Sequence, residues 1–493
     1  MPGFHIENFG CRAARADGEA IAARLEASAC AASNPNTAEV VVVNTCSVTA
    51  EADREARAYI RRTHRRNPSA RIVVTGCYAQ RAPGELAALP GVAAVIGNSH
   101  KALAPEVALG LAGPTEAALP LIQIQSVPPR DASFASGPSG AQAPLTPPQV
   151  LVDDAFAHSF LEEAQVVPGA QTRPNLKIQE GCSNRCTFCV IPQTRGNSRS
   201  LAPEKVLSQV RGFVAAGGRE LVFSGINMGR WGRDLAPDAR EPRTLAALAR
   251  TIFAETELPR LRLSSIEPMD WDDNLIALMH DFGGTRLCRH AHLPLQSGSD
   301  SVLRRMHRRY RPWHYVQKVE ALLSAAGPEL TLGADVMAGF PGETAAEFEE
   351  TLAFIRALPL GYLHLFPFSP RPGTPGWALH AESLVPPPVV AERMSALRAL
   401  AEEKMSAHRA QFIGRALDIL TLHTPNTLAE SGKTLGLTEN FLPVELMGQY
   451  DANRPVRVSV TGLTTTGALR CVHVAAESEY AHDSSDCRAV VTV

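Results

Sequence analysis

Long apolar runs are missing from this 493-residue chain: none approaches the roughly 18 residues that a membrane span requires, so no membrane partner is expected. The opening stretch, MPGFHIENFGCRAARADGEA, lacks the charged-then-apolar order of an export signal, which points to the cytoplasm. Aromatic residues make up only 6% of the chain, lysine occurs six times against 42 arginines, and the net charge is −2. That balance excludes a uniformly basic or acidic protein, yet it leaves room for local charge clusters. Disorder is excluded by an ordinary 45% of hydrophobic residues, and the length allows about three domains. Ten cysteines without an export signal belong in a reducing compartment, where metal ligation or catalysis is a commoner use than disulfides.

Two arginine clusters stand out, Arg54, Arg57, Arg61, Arg62, Arg65 and Arg66 in one stretch and Arg304, Arg305, Arg308, Arg309 and Arg311 in another. Arginine forks suit phosphate, although a basic helix face is more often simply solvated. The first hundred residues alternate strand-like runs (4–9, 40–44, 71–75, 92–96) with helical ones (13–32, 50–66), the pattern of a doubly wound parallel sheet. Residues 113–169, containing VPPRDASFASGPSGAQAPLTPP, read as a linker or surface insertion. The alternation then resumes through six strand candidates (175–179, 220–224, 260–264, 289–293, 331–336, 362–366), which fits a partial α/β barrel better than an eight-unit one. Beyond the helical stretch 389–412, short strands at 416–422, 434–438, 442–446 and 456–461 suggest a small β-barrel.

Cys182, Cys186 and Cys189 lie in KIQEGCSNRCTFCVIP, just after the first barrel strand. Three thiolates at this CxxxCxxC spacing can hold three corners of an iron–sulfur cube and leave the fourth iron open. A structural zinc site would want a fourth Cys or His, which the loop up to Thr194 does not offer, and a disulfide would strand an odd thiol. Cys11, Cys46 and Cys77 are far apart, but each directly follows a strand, in ENFGCR, VVNTCSV and VVTGCYA. In a parallel sheet those ends lie side by side, so the fold itself could assemble a second open cube; the alternative is three buried apolar cysteines. Cys30, Cys288, Cys471 and Cys487 lack that placement and read as buried bystanders. Barrel sites gather at strand C-termini, which nominates Ser224, Gly225, Asn227, Ser264, Glu267, His292, Gln296 and Asp335 for cofactor or substrate contact.

The CxxxCxxC loop in a six-unit barrel resembles the radical S-adenosylmethionine enzymes, and the chain as a whole is similar to the methylthiotransferases among them. That resemblance implies an N-terminal cluster domain (1–112), the insertion (113–169), a radical core (170–404), a TRAM-like RNA-binding barrel (405–476) and a tail (477–493). The TRAM-like part rests on FIGRALDIL, LTENFLPVEL and VRVSVTG. The resemblance further implies two 4Fe–4S clusters, one on each cysteine triplet, with S-adenosylmethionine chelating the open iron at Cys182, Cys186 and Cys189. Two S-adenosylmethionine molecules would be consumed per product. One methylates sulfur held at the Cys11–Cys46–Cys77 cluster, and the other yields the 5′-deoxyadenosyl radical that activates carbon 2 of an adenine. Radical chemistry suits that position, because a hydrogen on unactivated carbon has no acidity for a general base to exploit. The implied partners are a tRNA anticodon stem-loop and an electron donor such as flavodoxin or ferredoxin.

Within the family, NTCSVT, RLSSIEP, HLPLQSGSDSVLRRMHRRY and GADVMAGFPGET most resemble the branch acting on N6-threonylcarbamoyladenosine next to the anticodon. The branches acting on isopentenyladenosine or on a ribosomal-protein aspartate differ at the segment RLSSIEP. Gln193 departs from a commonly aromatic position, and Ser183 and Arg185 from the usual residues between the ligands; these changes bear on packing, not on ligation. A non-catalytic iron–sulfur RNA-binding protein is the alternative from outside the enzymes.

Overall fold

The computed structural model describes residues 1–112, 147–156, 172–236 and 242–474. Of the expected insertion only 147–156 are described, and the tail and Cys487 lie outside. The chain forms two units, one ending at His408 and one beginning at Arg409. Among the described residues, no helix is long and apolar enough to cross a membrane.

The first unit opens with a parallel sheet. Strands β1 (Gly3–Asn8), β2 (Val40–Thr45), β3 (Arg71–Gly76) and β4 (Val92–Gly97) lie side by side in chain order, all parallel. Strand β2 is buried along its whole length, which is why it reads as an unbroken VVVV run, each valine contributing about 1.5–3 kcal/mol of burial. Helix α1 (Arg12–Ala27) stops five residues short of the expected end. Ala29 adopts φ 59°, and Ala31–Ala32 pair beside Gly3 and Phe4 as a sheet edge, so strand pairing claims the alanines that periodicity assigned to the helix. Helix α2 (Ala50–Arg66) starts as expected, where the Thr49 hydroxyl accepts the Ala52 N–H at 3.2 Å.

Six further parallel strands make a partial barrel: β5 (Asn175–Glu180), β6 (Glu220–Gly225), β7 (Arg260–Leu263), β8 (His290–His292), β9 (Thr331–Ala338) and β10 (Leu360–Pro367). They form the runs β7-β6-β5 and β8-β9-β10, joined by parallel bridges at Leu261–Leu287 and Ser265–His292. Alternation along each strand divides the side chains: Leu176, Ile178, Leu221, Phe223, Leu261 and Leu263 pack in the core, while their sequence neighbours turn to the lumen. Helix α1 packs against β5 and β6, so the sheet domain lies directly on the barrel.

The second unit is a closed barrel of β11 (Ala416–Thr421), β12 (Lys433–Thr438), β13 (Pro443–Met447), β14 (Pro455–Leu463) and β15 (Leu469–His473). Four of these strands match the sequence expectation. The fifth, β15, was not anticipated, because a five-residue run acquires its identity only by pairing parallel to β13 and antiparallel to β14.

Candidate functional site

The local triplet is held by its own loop. Gly181 turns the chain after β5 with φ 70°, and a Cβ there would lie 2.0 Å from the Asn197 carbonyl oxygen. The Cys182 N–H donates to Gly196 at 2.9 Å, the Thr187 N–H to Met306 at 3.2 Å and the Cys189 N–H to Cys186 at 3.1 Å. Donors also reach the sulfurs. Arg308 Nη1 lies 3.1 Å from Cys186 Sγ, and the Asn184 N–H and Asn227 Nδ2 lie 3.4 and 3.6 Å from Cys182 Sγ. Burial pushes the Cys189 thiol up to about 12 and Cys182 in the same direction, so a thiolate here needs a cation beside it.

The second triplet is assembled by the sheet. Cys11 caps α1 after β1, Cys46 follows β2, and Cys77 opens a short helix after β3. Glycine permits the close approach: Gly10 has φ 108°, and a Cβ there would lie 2.6 Å from Cys46 Cβ. Gly76 has φ 100°, and its Cβ would meet the Thr45 carbonyl oxygen at 2.2 Å. Burial, then the neighbouring Cys77 and Cys11 thiols, push Cys46 up to about 12. Cys46 and Cys77 are buried, whereas Cys11 is exposed. Both triplets offer soft thiol donors with N–H groups aimed at sulfur, a set that fits iron–sulfur ligation.

A buried ionic bridge connects the two triplets. Arg195, fully buried just beyond Cys189, donates from Nε to Cys77 Sγ at 3.2 Å. Its Nη1 donates to Glu180 Oε1 at 2.6 Å and to Asp17 Oδ2 at 3.3 Å. Lys101 and Lys177 both pair with Asp17, and Lys177 Nζ also reaches Glu180 Oε2 at 2.5 Å. Asn98 Nδ2 lies 3.4 Å from Cys77 Sγ and donates to the Thr194 carbonyl at 2.8 Å. Three cations face two carboxylates, which leaves one positive charge beside Cys77. Burial alone would raise Glu180; Arg195, Lys177 and Lys101 outweigh it and hold the carboxyl well below its usual range. Sequence reasoning missed all five charged residues, although Glu180 and Arg195 flank the CxxxCxxC segment.

The strand-end candidates fall into distinct roles. Asn227 and Gln296 each bury a side-chain oxygen with no protein partner, as a ligand carrying donor groups would require. Gly225 sits against Gln179, whose Oε1 accepts the Asn227 N–H at 2.6 Å. The Ser224 and Ser264 hydroxyls make only marginal contacts, at 3.5 Å to Leu176 O and 4.0 Å to Met228 Sδ. Both Glu267 oxygens are engaged by Arg308, at 2.7 and 2.5 Å, so this carboxylate holds the guanidinium that reaches Cys186. His292 and Asp335 pair with each other at 3.1 Å. In the second arginine cluster Arg305 binds Glu347, Arg309 reaches Asp270, and Arg304 and Arg311 pair with Asp300; Arg308 is buried, while Arg304 and Arg309 are exposed. Arg61, Arg62, Arg65 and Arg66 on α2 are exposed too.

Two family models match the chain: "Uncharacterized protein family UPF0004" over residues 3–97 and "Radical SAM superfamily" over residues 176–355. The threonylcarbamoyladenosine tRNA methylthiotransferase MtaB of Bacillus subtilis is 35% identical over 416 residues, 84% of this chain and 83% of that protein. The chain belongs to the MtaB-like radical S-adenosylmethionine methylthiotransferase family. The MtaB of Thermotoga maritima is 30% identical over 96% of this chain and 97% of its own length. The tRNA-2-methylthio-N(6)-dimethylallyladenosine synthase of Novosphingobium aromaticivorans is 33% identical over 93% and 94%. The solved radical S-adenosylmethionine methyltransferase TsrM of Kitasatospora setae shares the fold, with a TM-score of 0.50 at 15% identity over 78% of each chain. Membership makes the protein a radical methylthiotransferase that uses a 4Fe–4S cluster and S-adenosylmethionine.

Proposed function

We propose that the protein adds a methylthio group to carbon 2 of N6-threonylcarbamoyladenosine next to the tRNA anticodon. It would work in the cytoplasm with an electron donor such as flavodoxin or ferredoxin. The observation that carries this reading is the buried bridge from the Cys182–Cys186–Cys189 loop to Cys77, in a chain whose relatives bear that activity over most of their length. Cys182, Cys186 and Cys189 would hold one 4Fe–4S cluster, and Cys11, Cys46 and Cys77 a second. S-adenosylmethionine would lie along Ser224, Gly225, Asn227, Ser264 and Gln296. These groups supply hydrogen-atom abstraction at carbon 2 and the sulfur to be transferred.

The chain's own residues do the rest. Arg195 and Asn98 tie the cysteine loop to Cys77 and so set the separation of the two triplets. Helix α1 packs on β5 and β6 and so fixes the sheet domain against the barrel. The target base must be splayed from its loop to enter the gap. Exposed Arg61, Arg62 and Arg65 offer phosphate contacts along α2, and the five-stranded barrel serves as a TRAM-like RNA module.

Mass spectrometry of nucleosides from a deletion strain tests the reading. Loss of the methylthio form of N6-threonylcarbamoyladenosine alone is expected. Loss from isopentenyladenosine or from a ribosomal protein instead overturns it.

A further inference from the structure

Side chains of three adjacent barrel strands, β8, β9 and β10, hydrogen-bond to one another in a continuous chain. Tyr362 Oη lies 2.8 Å from His290 Nε2 and 3.0 Å from His292 Nδ1. His292 Nε2 lies 3.1 Å from Asp335 Oδ1, and the same oxygen lies 3.3 Å from His364 Nδ1. For a neutral His292 one proton arrangement satisfies every link. The His290 Nε2–H donates to Tyr362, the Tyr362 hydroxyl to His292 Nδ1, and the His292 Nε2–H and His364 Nδ1–H both donate to Asp335. Burial, then Arg262 and Arg12, hold His290 well below its usual range, so the inner end of the chain is neutral.

The outer end is open. The His364 side chain is 60% exposed and that of Asp335 24%, while His292 is buried. Among the described residues, no protein group hydrogen-bonds His364 Nε2 or Asp335 Oδ2. Arg12, the neighbour of Cys11, acts electrostatically on both Tyr362 and His290. The outer end of the chain adjoins Gln296, which bridges Val336 next to Asp335, among the strand-end residues of the barrel. Gln296, with its unpartnered buried Oε1, donates its backbone N–H to the Asp335 carbonyl at 2.7 Å.

We infer that His364 and Asp335 form the subsite that reads the polar substituent on N6 of the substrate adenine, His364 Nε2 facing its carboxyl end and Asp335 Oδ2 accepting from its N–H or hydroxyl. This rests on the proposed function and names the residues that give it selectivity. A ureido-amino-acid substituent carries both the acceptor and the donors that such a pair needs. An isopentenyl group carries neither, and would desolvate these polar atoms without repaying it. The three donor atoms of His292, Asp335 and His364 lie within 4.8 Å of one another, so the same group could instead take a divalent metal ion.

The test compares His364→Leu and His364→Gln with the wild type, all with both clusters reconstituted, on tRNA carrying either N6-threonylcarbamoyladenosine or isopentenyladenosine. His364→Leu is expected to lower kcat/KM on the first tRNA by about 10- to 100-fold, chiefly through KM. His364→Gln, which keeps a donor near Nε2, should recover part of the loss. Iron content and circular dichroism serve as folding readouts. Unchanged kcat/KM in His364→Leu overturns the inference while leaving the proposed function intact. A stoichiometric zinc or other divalent ion that is lost in His364→Leu, with selectivity unchanged, makes this a metal site and overturns it too. Wild-type protein that acts only on isopentenyladenosine tRNA overturns the function and the subsite together.

Discussion

The two thiol triplets reach the same donor set by opposite routes. Cys182, Cys186 and Cys189 are positioned by one loop, closed on itself by Cys182–Gly196 and Cys189–Cys186 backbone bonds. Cys11, Cys46 and Cys77 are positioned by the register of three strands and by two left-handed glycines. The local triplet should therefore survive damage elsewhere in the fold, whereas anything that shifts the sheet shifts the assembled one. The Arg195 bridge makes the two interdependent, because a residue of the cysteine loop is also a neighbour of Cys77.

Separating the triplets gives the largest effect. Cys186→Ala should abolish both S-adenosylmethionine cleavage and methylthio transfer. Cys46→Ala should abolish transfer but keep 5′-deoxyadenosine formation, as chromatography of the small-molecule products would show. If Cys46→Ala also stops cleavage, the division of labour is wrong.

Cutting the bridge comes next. Arg195→Met removes the hydrogen bonds to Cys77, Glu180 and Asp17 but leaves two lysines facing two carboxylates, and should cost about 1–3 kcal/mol in urea unfolding. Combining it with Asp17→Asn should cost less than the sum, since both changes act on one network. Full additivity would mean that the charges act independently.

Glycine substitutions then probe the assembled triplet alone. Gly76→Ala should destabilise the protein by about 1–3 kcal/mol, because the added Cβ meets backbone in a left-handed conformation, and should lower the iron bound per chain. Gly212→Ala, in the helix Pro203–Ala215 with open space around it, should stabilise by about 0.5–1 kcal/mol and leave iron unchanged. Equal effects at the two positions would show that register is not what places Cys46 and Cys77.

The smallest structural effect is expected from charge reversal on α2. Arg61→Glu, Arg62→Glu and Arg65→Glu together should leave iron content and thermal stability near wild type. They should reduce the salt dependence of tRNA binding by about 0.7–0.9 per lost phosphate contact. An unchanged salt slope removes α2 from the RNA surface.

Much of this was legible in the residues. Strand-helix alternation located ten parallel strands to within two residues of each boundary, because buried parallel strands must be apolar runs whatever their neighbours. The three thiols after β1, β2 and β3 were legible for the same reason, since a parallel sheet brings its strand ends to one edge. Within the arginine run at 304–311, Arg308 is buried whereas Arg304 and Arg309 stay exposed. The helix Asp300–Arg305 ends there, His307 takes φ 53°, and the turn carries Arg308 inward onto Glu267 and Cys186. A run of like charge does not reveal which members the chain will bury.

Composition and spacing, by themselves, determined the fold class and nominated both cysteine triplets, because these depend on strand patterns repeated along the chain or on spacing within one loop. Only the tertiary structure decided what stands between the triplets. The Asp17–Lys101–Lys177–Glu180–Arg195 bridge and the His290–Tyr362–His292–Asp335–His364 chain draw on residues from separate strands and loops. Buried charges must find partners wherever the backbone places them, and that placement is a property of the whole fold, not of any segment of it.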